Sequence, residues 1–249
     1  MDLLSVVEAL PEVKLEGTLL RLVQQQGIDS LSPLIDSLEQ LARLEGLVET
    51  SKPPRMEGIP ASPSHPLLVT PFRYPPLLHG SRFGVREQRG LFYGSRSRAG
   101  TLVEGAYYSL LFWEGMEEPP RKPIRRRQTL FSVLLETNRG RQLQAVDDAA
   151  AQAALRHPSH YAATQGVGTW MRERGVAAFE YLTARSEEPL VQVGVFTPAA
   201  LCSTPFDQVD LSVEIQADHA SFLCHDDGSV HRFPRERFLV GGVFPLAAA

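Results

Sequence analysis

The sequence has little cysteine, no long apolar run and no excess of basic charge. Its two cysteines, Cys202 and Cys224, in 249 residues exclude a disulfide framework and a zinc site of paired cysteines, which need sets of thiols at short spacings. Two reduced, buried thiols suit a reducing cytoplasm. No apolar stretch reaches the roughly 20 residues that span a bilayer; the last twelve, FLVGGVFPLAAA, are short and broken by Pro245. The opening MDLLSVVEALPEVKLEG has no basic n-region and mixes acids with its apolar residues, unlike a secretory signal. With 25 basic against 29 acidic residues the net charge is −4, so no global field favours nucleic acid or an acidic membrane. These absences lead us to expect a cytoplasmic chain that binds neither nucleic acid nor membrane directly.

The chain is long enough to bury a substantial core as one domain with an appendage. Residues 1–50 are helical in spacing: GTLLRLVQQQ is one stretch, and Leu31, Leu34, Ile35, Leu38, Leu41, Leu44 and Leu47 make another at three- and four-residue intervals. The proline-rich SKPPRMEGIPASPSHP (51–66) reads as a strap or linker. LLVTPFRY (67–74) and GLFYGS (90–95) read as short strands, and TLVEGAYYSLLFW (101–113) as a helix starting near Thr101. RKPIRRR (121–127) reads as a solvated loop, TLFSVLLET (129–137) as a buried strand, and 147–158 and 161–175 as helices. VAAFEYL, LVQVGVFTP and the segment 211–233 supply further strands, the last with an Asp-Gly turn at 227–228. Helices and strands mix without strict βαβ alternation, which predicts an α+β core. Its divisions are a helical extension and strap over 1–66, a core over 67–200, and a C-terminal β-hairpin segment over 201–249.

One stretch is unlike core-building sequence. PFRYPPLLHGSRFGVREQRGLFYGSRSRAGTLVEGAYY (71–108) crowds arginine, tyrosine and glycine around Glu104. Arg73 at a strand end, Arg82 after a glycine turn, Tyr93 at a second strand end and Glu104 in the first turn of a helix are candidates for one cleft. Two guanidinium forks suit a pyrophosphate, a tyrosine face suits a flat heterocycle, and a lone carboxylate can stabilise a developing oxocarbenium ion. The same residue types also make surface salt bridges and a helix N-terminus complement. His157 and His160, separated by Pro158, lack the regular helix a metal pair needs.

The ordered segments TPFRYPP, GSRF, GLFYGS, TLVEGAYY, YAATQGVGTWMRERG and FEYLTAR resemble the RES domain, a family named for an arginine, a glutamate and a serine. Its members are similar to ADP-ribosyltransferases in fold and act on NAD. The resemblance implies an ADP-ribosyltransferase-like split β-sheet with flanking helices, and makes 67–200 the NAD-binding catalytic core. By residue match it implies Arg73, Glu104 and Thr183 as catalytic, and Arg73, Tyr74, Arg82, Tyr93 and Arg185 as contacts to NAD, the substrate, with no metal. Thr183 stands in Tyr181-Leu182-Thr183-Ala184-Arg185 where family members carry serine, keeping the hydroxyl with an added methyl. The implied activity is cleavage of the nicotinamide–ribose bond by the toxin of a bacterial toxin–antitoxin pair, blocked by an Xre-like DNA-binding antitoxin. A protein ADP-ribosyltransferase and a non-catalytic nucleotide-binding module are the alternatives, and a homo-oligomer is left open.

Overall fold

The computed structural model describes residues 2–25, 43, 65–74 and 80–246. The leucine-spaced segment after residue 30, apart from Arg43, and the proline-rich strap up to residue 64 lie outside the described residues. The rest is an α+β fold built on an eight-stranded mixed sheet, with strand order β1-β2-β5-β4-β3-β6-β7-β8. The strands are β1 (Val13–Gln24), β2 (Phe92–Ser95), β3 (Ile124–Gln142), β4 (Ala178–Leu182), β5 (Val191–Val195), β6 (Phe206–Ile215), β7 (His219–Cys224) and β8 (Val230–Pro234). Because β1 also pairs with β3, five strands close into a ring, from which β6, β7 and β8 extend. Among the described strands, only the β3–β4 pairing is parallel.

The helical spacing expected of GTLLRLVQQQ is overturned. Residues 13–24 form β1, in antiparallel register with β3 from Val13↔Gly140 to Gln24↔Gln128. A strand closed inside a ring has apolar neighbours on both faces, so Leu19, Leu20 and Leu22 need not alternate with polar residues, and their run imitates a helix face. LLVTPFRY is also corrected, from strand to helix α2 (Pro66–Arg73). Pro66 occupies the first turn, where its missing N–H is no loss, and His65 Nδ1 accepts from Leu67 N at 3.3 Å. The expected loop at 121–127 is a strand from Ile124 onward. Exposed Arg125 and Arg127 alternate with the more buried Ile124, Arg126 and Gln128, which is the period of a half-buried strand.

Helix α3 (Arg98–Glu114) starts three residues before Thr101, because Ser97 Oγ caps it by accepting from Gly100 N at 3.1 Å. Glu104 therefore sits in the second turn, away from the helix terminus. Helices α1 (Leu3–Glu8), α4 (Ala149–Leu155) and α5 (Ala162–Glu173) pack with Phe179, Tyr181 and Met171 in one apolar cluster. A second cluster joins Leu19, Phe92, Phe131 and Val193 of the ring to Leu68 and Phe72 of α2. A third lays α3, through Leu102, Ala106, Tyr107 and Leu110, on Phe222 and Val213 of the extended sheet. Each such large side chain contributes about 1.5–3 kcal/mol by leaving water, so α3 is fixed along its length. Gly105 allows it to lie close to β1: a Cβ there would stand 2.8 Å from Leu22 Cδ2.

Candidate functional site

Between α3 and the ring lies a cleft of about 410 Å³. Strand β1 contributes Leu20, Arg21 and Leu22; the turn after Gly80 contributes Ser81 and Arg82; β2 contributes Tyr93; and α3 contributes Thr101, Glu104, Gly105, Tyr108 and Ser109. Arg126 and Gln128 of β3, Tyr161, Tyr181 of β4, Arg185 and Gln192 complete the wall. Four arginines thus face one carboxylate, Glu104. That ratio gives the cleft a positive field suited to an anion.

Gly80 makes the turn possible with φ +75°, a conformation that costs a side-chain residue strain. Ser81 and Gly84 then bond each other's backbones. Arg82, 9% exposed, donates through Nη1 to the carbonyls of His157 at 2.8 Å and Leu155 at 3.3 Å. Its guanidinium lies 4.5 Å from the Tyr161 ring centroid. The Tyr93 hydroxyl pairs with Ser81 Oγ at 3.0 Å and accepts from Phe83 N at 3.2 Å. Burial pushes this phenol above its ordinary value of 10.0, so Tyr93 stays neutral and serves as a wall.

Glu104 meets Thr183 across the cleft floor. Thr183 is fully buried, and its hydroxyl donates to Glu104 Oε1 while accepting from Arg185 N at 3.0 Å. The threonine oxygen therefore holds the carboxylate in place, and its donor is used within the protein. Arg185 donates to Pro158 O and to the Tyr161 hydroxyl, both at 2.8 Å, and stands 3.4 Å from the Tyr107 ring centroid. Burial works against its charge, but Tyr161, Glu104 and Tyr107 outweigh it and raise its pKa.

Arg21 is one of the cleft residues that the sequence reading missed. Its Nη1 donates to Tyr93 O at 2.7 Å, and its guanidinium lies 4.6 Å from the Phe92 centroid. Burial lowers its pKa to about 10, a sign that a charge is held where water is scarce. Its Nε is buried without a hydrogen-bond partner, as are Arg185 Nε and Gln128 Oε1. These three atoms, each shut off from water, belong to cleft-lining residues of β1, β3 and the segment after β4. The available signal was a single arginine within an apolar run, which a helical reading makes unremarkable and a ring strand does not.

The structure brings Arg82, Tyr93, Glu104, Thr183 and Arg185 together, the threonine behind the carboxylate. Arg73 and Tyr74 are not among the residues lining the cleft; Arg73 ends α2 and Tyr74 follows it, 38% exposed. Arg126, expected in a solvated loop outside this constellation, lines the cleft and lies 3.8 Å from the Phe112 centroid. Elsewhere, Cys224, Asp226 and Asp227 bring ligand atoms within 4.8 Å of one another. Arg98 already neutralises both carboxylates there, at 2.5 and 3.0 Å. No helix among the described residues is long and apolar enough to cross a membrane.

Residues 55–214 match the family model described as RES domain. No curated protein matches the chain.

Proposed function

We propose, for a chain that belongs to the RES domain family, that the cleft binds NAD and that the protein breaks the nicotinamide–ribose bond. The observation that carries this reading is the lone carboxylate Glu104, fastened by Thr183 inside a cleft lined by four arginines. Arg21, Arg82 and Arg185 supply positive charge for the pyrophosphate, and Tyr93 and Tyr181 wall the nicotinamide side. As the C1′–N bond breaks, its electron pair moves to the nicotinamide nitrogen and positive charge develops on the ribose. Glu104 faces that charge, which exists only on the way to products, so its contribution falls on turnover more than on binding. A water attacking C1′ and losing its proton gives ADP-ribose; inorganic phosphate gives ADP-ribose-1″-phosphate.

Such an enzyme depletes the NAD of the cell that makes it. The reading therefore extends to the toxin of a bacterial toxin–antitoxin pair, acting in the cytoplasm and held inactive by an Xre-like antitoxin covering the cleft. Incubation of the purified protein with NAD, followed by product analysis, tests the chemistry. Nicotinamide with ADP-ribose or its 1″-phosphate is the expected outcome. A modified protein product would make it a protein ADP-ribosyltransferase, and saturable binding without nicotinamide release would make it a nucleotide-binding module.

A further inference from the structure

Arg156 holds the segment after β4 at two points, one of them Thr183 itself. Through one edge of its guanidinium it donates from Nε to Thr183 O at 3.1 Å and from Nη2 to Ser186 O at 2.6 Å, a pair of acceptors that a planar fork matches better than a point-like ammonium. Its own base is rigid. Arg156 follows α4, whose start is capped by Asp148 Oδ1 accepting from Ala151 N at 2.8 Å, and its backbone N donates to Gln152 O at 3.0 Å. Ala151 and Leu155 bury that helix in the cluster around Phe179. On the other side, Thr183 N donates to Leu190 O at 3.0 Å. Both backbone polar groups of the threonine are thus fixed, and with them the hydroxyl that fastens Glu104. Arg156 is not among the residues lining the cleft, so its place is behind the site. A second arginine, Arg237, reaches the same segment but donates through Nη2 to the side chain of Ser186, at 3.1 Å from Oγ.

We propose that Arg156 is a positioning residue: it sets where the Thr183 hydroxyl stands, and through it the orientation of Glu104, without touching substrate. Its kinetic consequence rests on the proposed NAD reaction, whereas its geometry does not. Without the fork, the carbonyls of Thr183 and Ser186 lose their donor and the segment between them relaxes. The hydroxyl then no longer meets the Glu104 carboxylate and Arg185 N together. Because Glu104 acts on charge that develops only as the bond breaks, the loss falls on kcat and spares binding.

Amide hydrogen exchange reads this arrangement without turnover. The Arg185 N–H, which meets Thr183 Oγ at 3.0 Å, should exchange about tenfold faster in Arg156→Ala and Arg156→Lys, relative to the amide of Val193 in β5. In nicotinamide release both variants should lose about tenfold in kcat with KM held. Arg156→Lys keeps the charge, so a shared loss assigns the effect to the fork. Because Arg156 acts through Thr183, adding Arg156→Ala to Thr183→Val should cost no more than about twofold further, where independent sites would multiply to about a hundredfold. Arg237→Ala should keep the parental kcat. Parental exchange at Arg185 in both Arg156 variants, a multiplicative double variant, or an equal loss of kcat in Arg237→Ala overturns the proposal and leaves the NAD reading standing. Faster exchange at Arg185 in the variants, with no nicotinamide release by the parent, supports the positioning of Thr183 and sinks the proposed reaction.

Discussion

Glu180 and Glu104 are carboxylates set into the same fold in opposite ways. Glu180, on β4 and 7% exposed, accepts from Arg96 Nε at 2.7 Å, Gln142 Nε2 at 2.9 Å and Gln144 Nε2 at 2.7 Å. Burial would raise its pKa, but these three donors together outweigh burial and hold it below the ordinary 4.5. Glu104, on α3, is half-buried, opens on the cleft and takes its side-chain hydrogen bond from Thr183. A saturated carboxylate has nothing left to offer a ligand, and its strength goes into the fold. A carboxylate fastened at one oxygen keeps the other for chemistry, at the cost of a stabilising contact forgone.

Exchanging each carboxylate breaks this comparison most directly. Glu104→Gln keeps the shape and removes the charge, so kcat for nicotinamide release should fall about 10²–10³-fold, equivalent to roughly 3–4 kcal/mol of transition-state stabilisation. KM should change little, and if the parent arrests growth on expression, as the proposed toxin role requires, this variant should not. A Glu104→Gln protein with parental kcat would remove the residue from the mechanism.

The complementary exchange acts on stability. Glu180→Ala strands Arg96 and two amides, and should cost about 3 kcal/mol in urea unfolding while the folded fraction keeps its turnover within a few-fold. The sign of the pH dependence follows from the depressed folded pKa. Glu180 contributes fully above its ordinary 4.5, and that stability is lost as pH falls through the lower folded value. The gap between parent and Glu180→Ala should therefore narrow in acid. A gap that is constant from pH 7 down to pH 3 would show that packing, and not the ionised carboxylate, holds this corner.

Arginines give a third contrast, between the one that sequence motifs emphasised and the one that the ring positions. Arg21→Ala should raise KM for NAD about ten- to hundredfold, about 1.5–3 kcal/mol for a charge-assisted contact, and Arg73→Ala should raise it less. The reverse order, read from steady-state kinetics on folded variants, would move the pyrophosphate toward α2. The α+β class, the strands at 90–95 and 190–198 and the grouping of Arg82, Tyr93 and Glu104 were all legible, because glycine turns and alternation are local signals. Arg21 was not, because the partner that makes its segment a strand lies more than a hundred residues away, and no local spacing encodes a ring closure. The helix at 66–73 was hidden by Val69 and Thr70, which favour strands, while its His-Pro start went unread. Thr183 was singled out by family match, but its partner depended on where α3 begins, and the cap at Ser97 moved Glu104 one turn deeper than expected.

Thr183 sharpens the Glu104 side of the comparison. Thr183→Val removes the donor at nearly constant shape, freeing the carboxylate to rotate, and should lower kcat about tenfold, close to 1.4 kcal/mol, with KM held. Thr183→Ser keeps the hydroxyl and should retain the parental rate. Equal rates for all three proteins would mean that Glu104 needs no fastening.

The smallest effect is expected on β3, where neighbouring arginines face opposite ways. Arg125 is a side chain 80% exposed that pairs with Glu214 at 3.0 Å, and Arg127 also points outward, whereas Arg126 lines the cleft. An exposed pair gains about 0–1 kcal/mol, since water screens it and both side chains lose freedom. Arg125→Ser with Arg127→Ser should thus shift unfolding by no more than about 1 kcal/mol and leave nicotinamide release within twofold at 0.15 M salt. Because the removed charges sit outside the cleft, what remains of their influence is long-range attraction for an anionic substrate, which a Debye length of about 8 Å suppresses under those conditions. Lowering the salt should therefore widen the difference in KM and leave kcat alone. A loss of kcat in the doubly substituted protein would show that the outward face of β3 takes part in the chemistry, and the alternation of the strand would no longer divide structure from function.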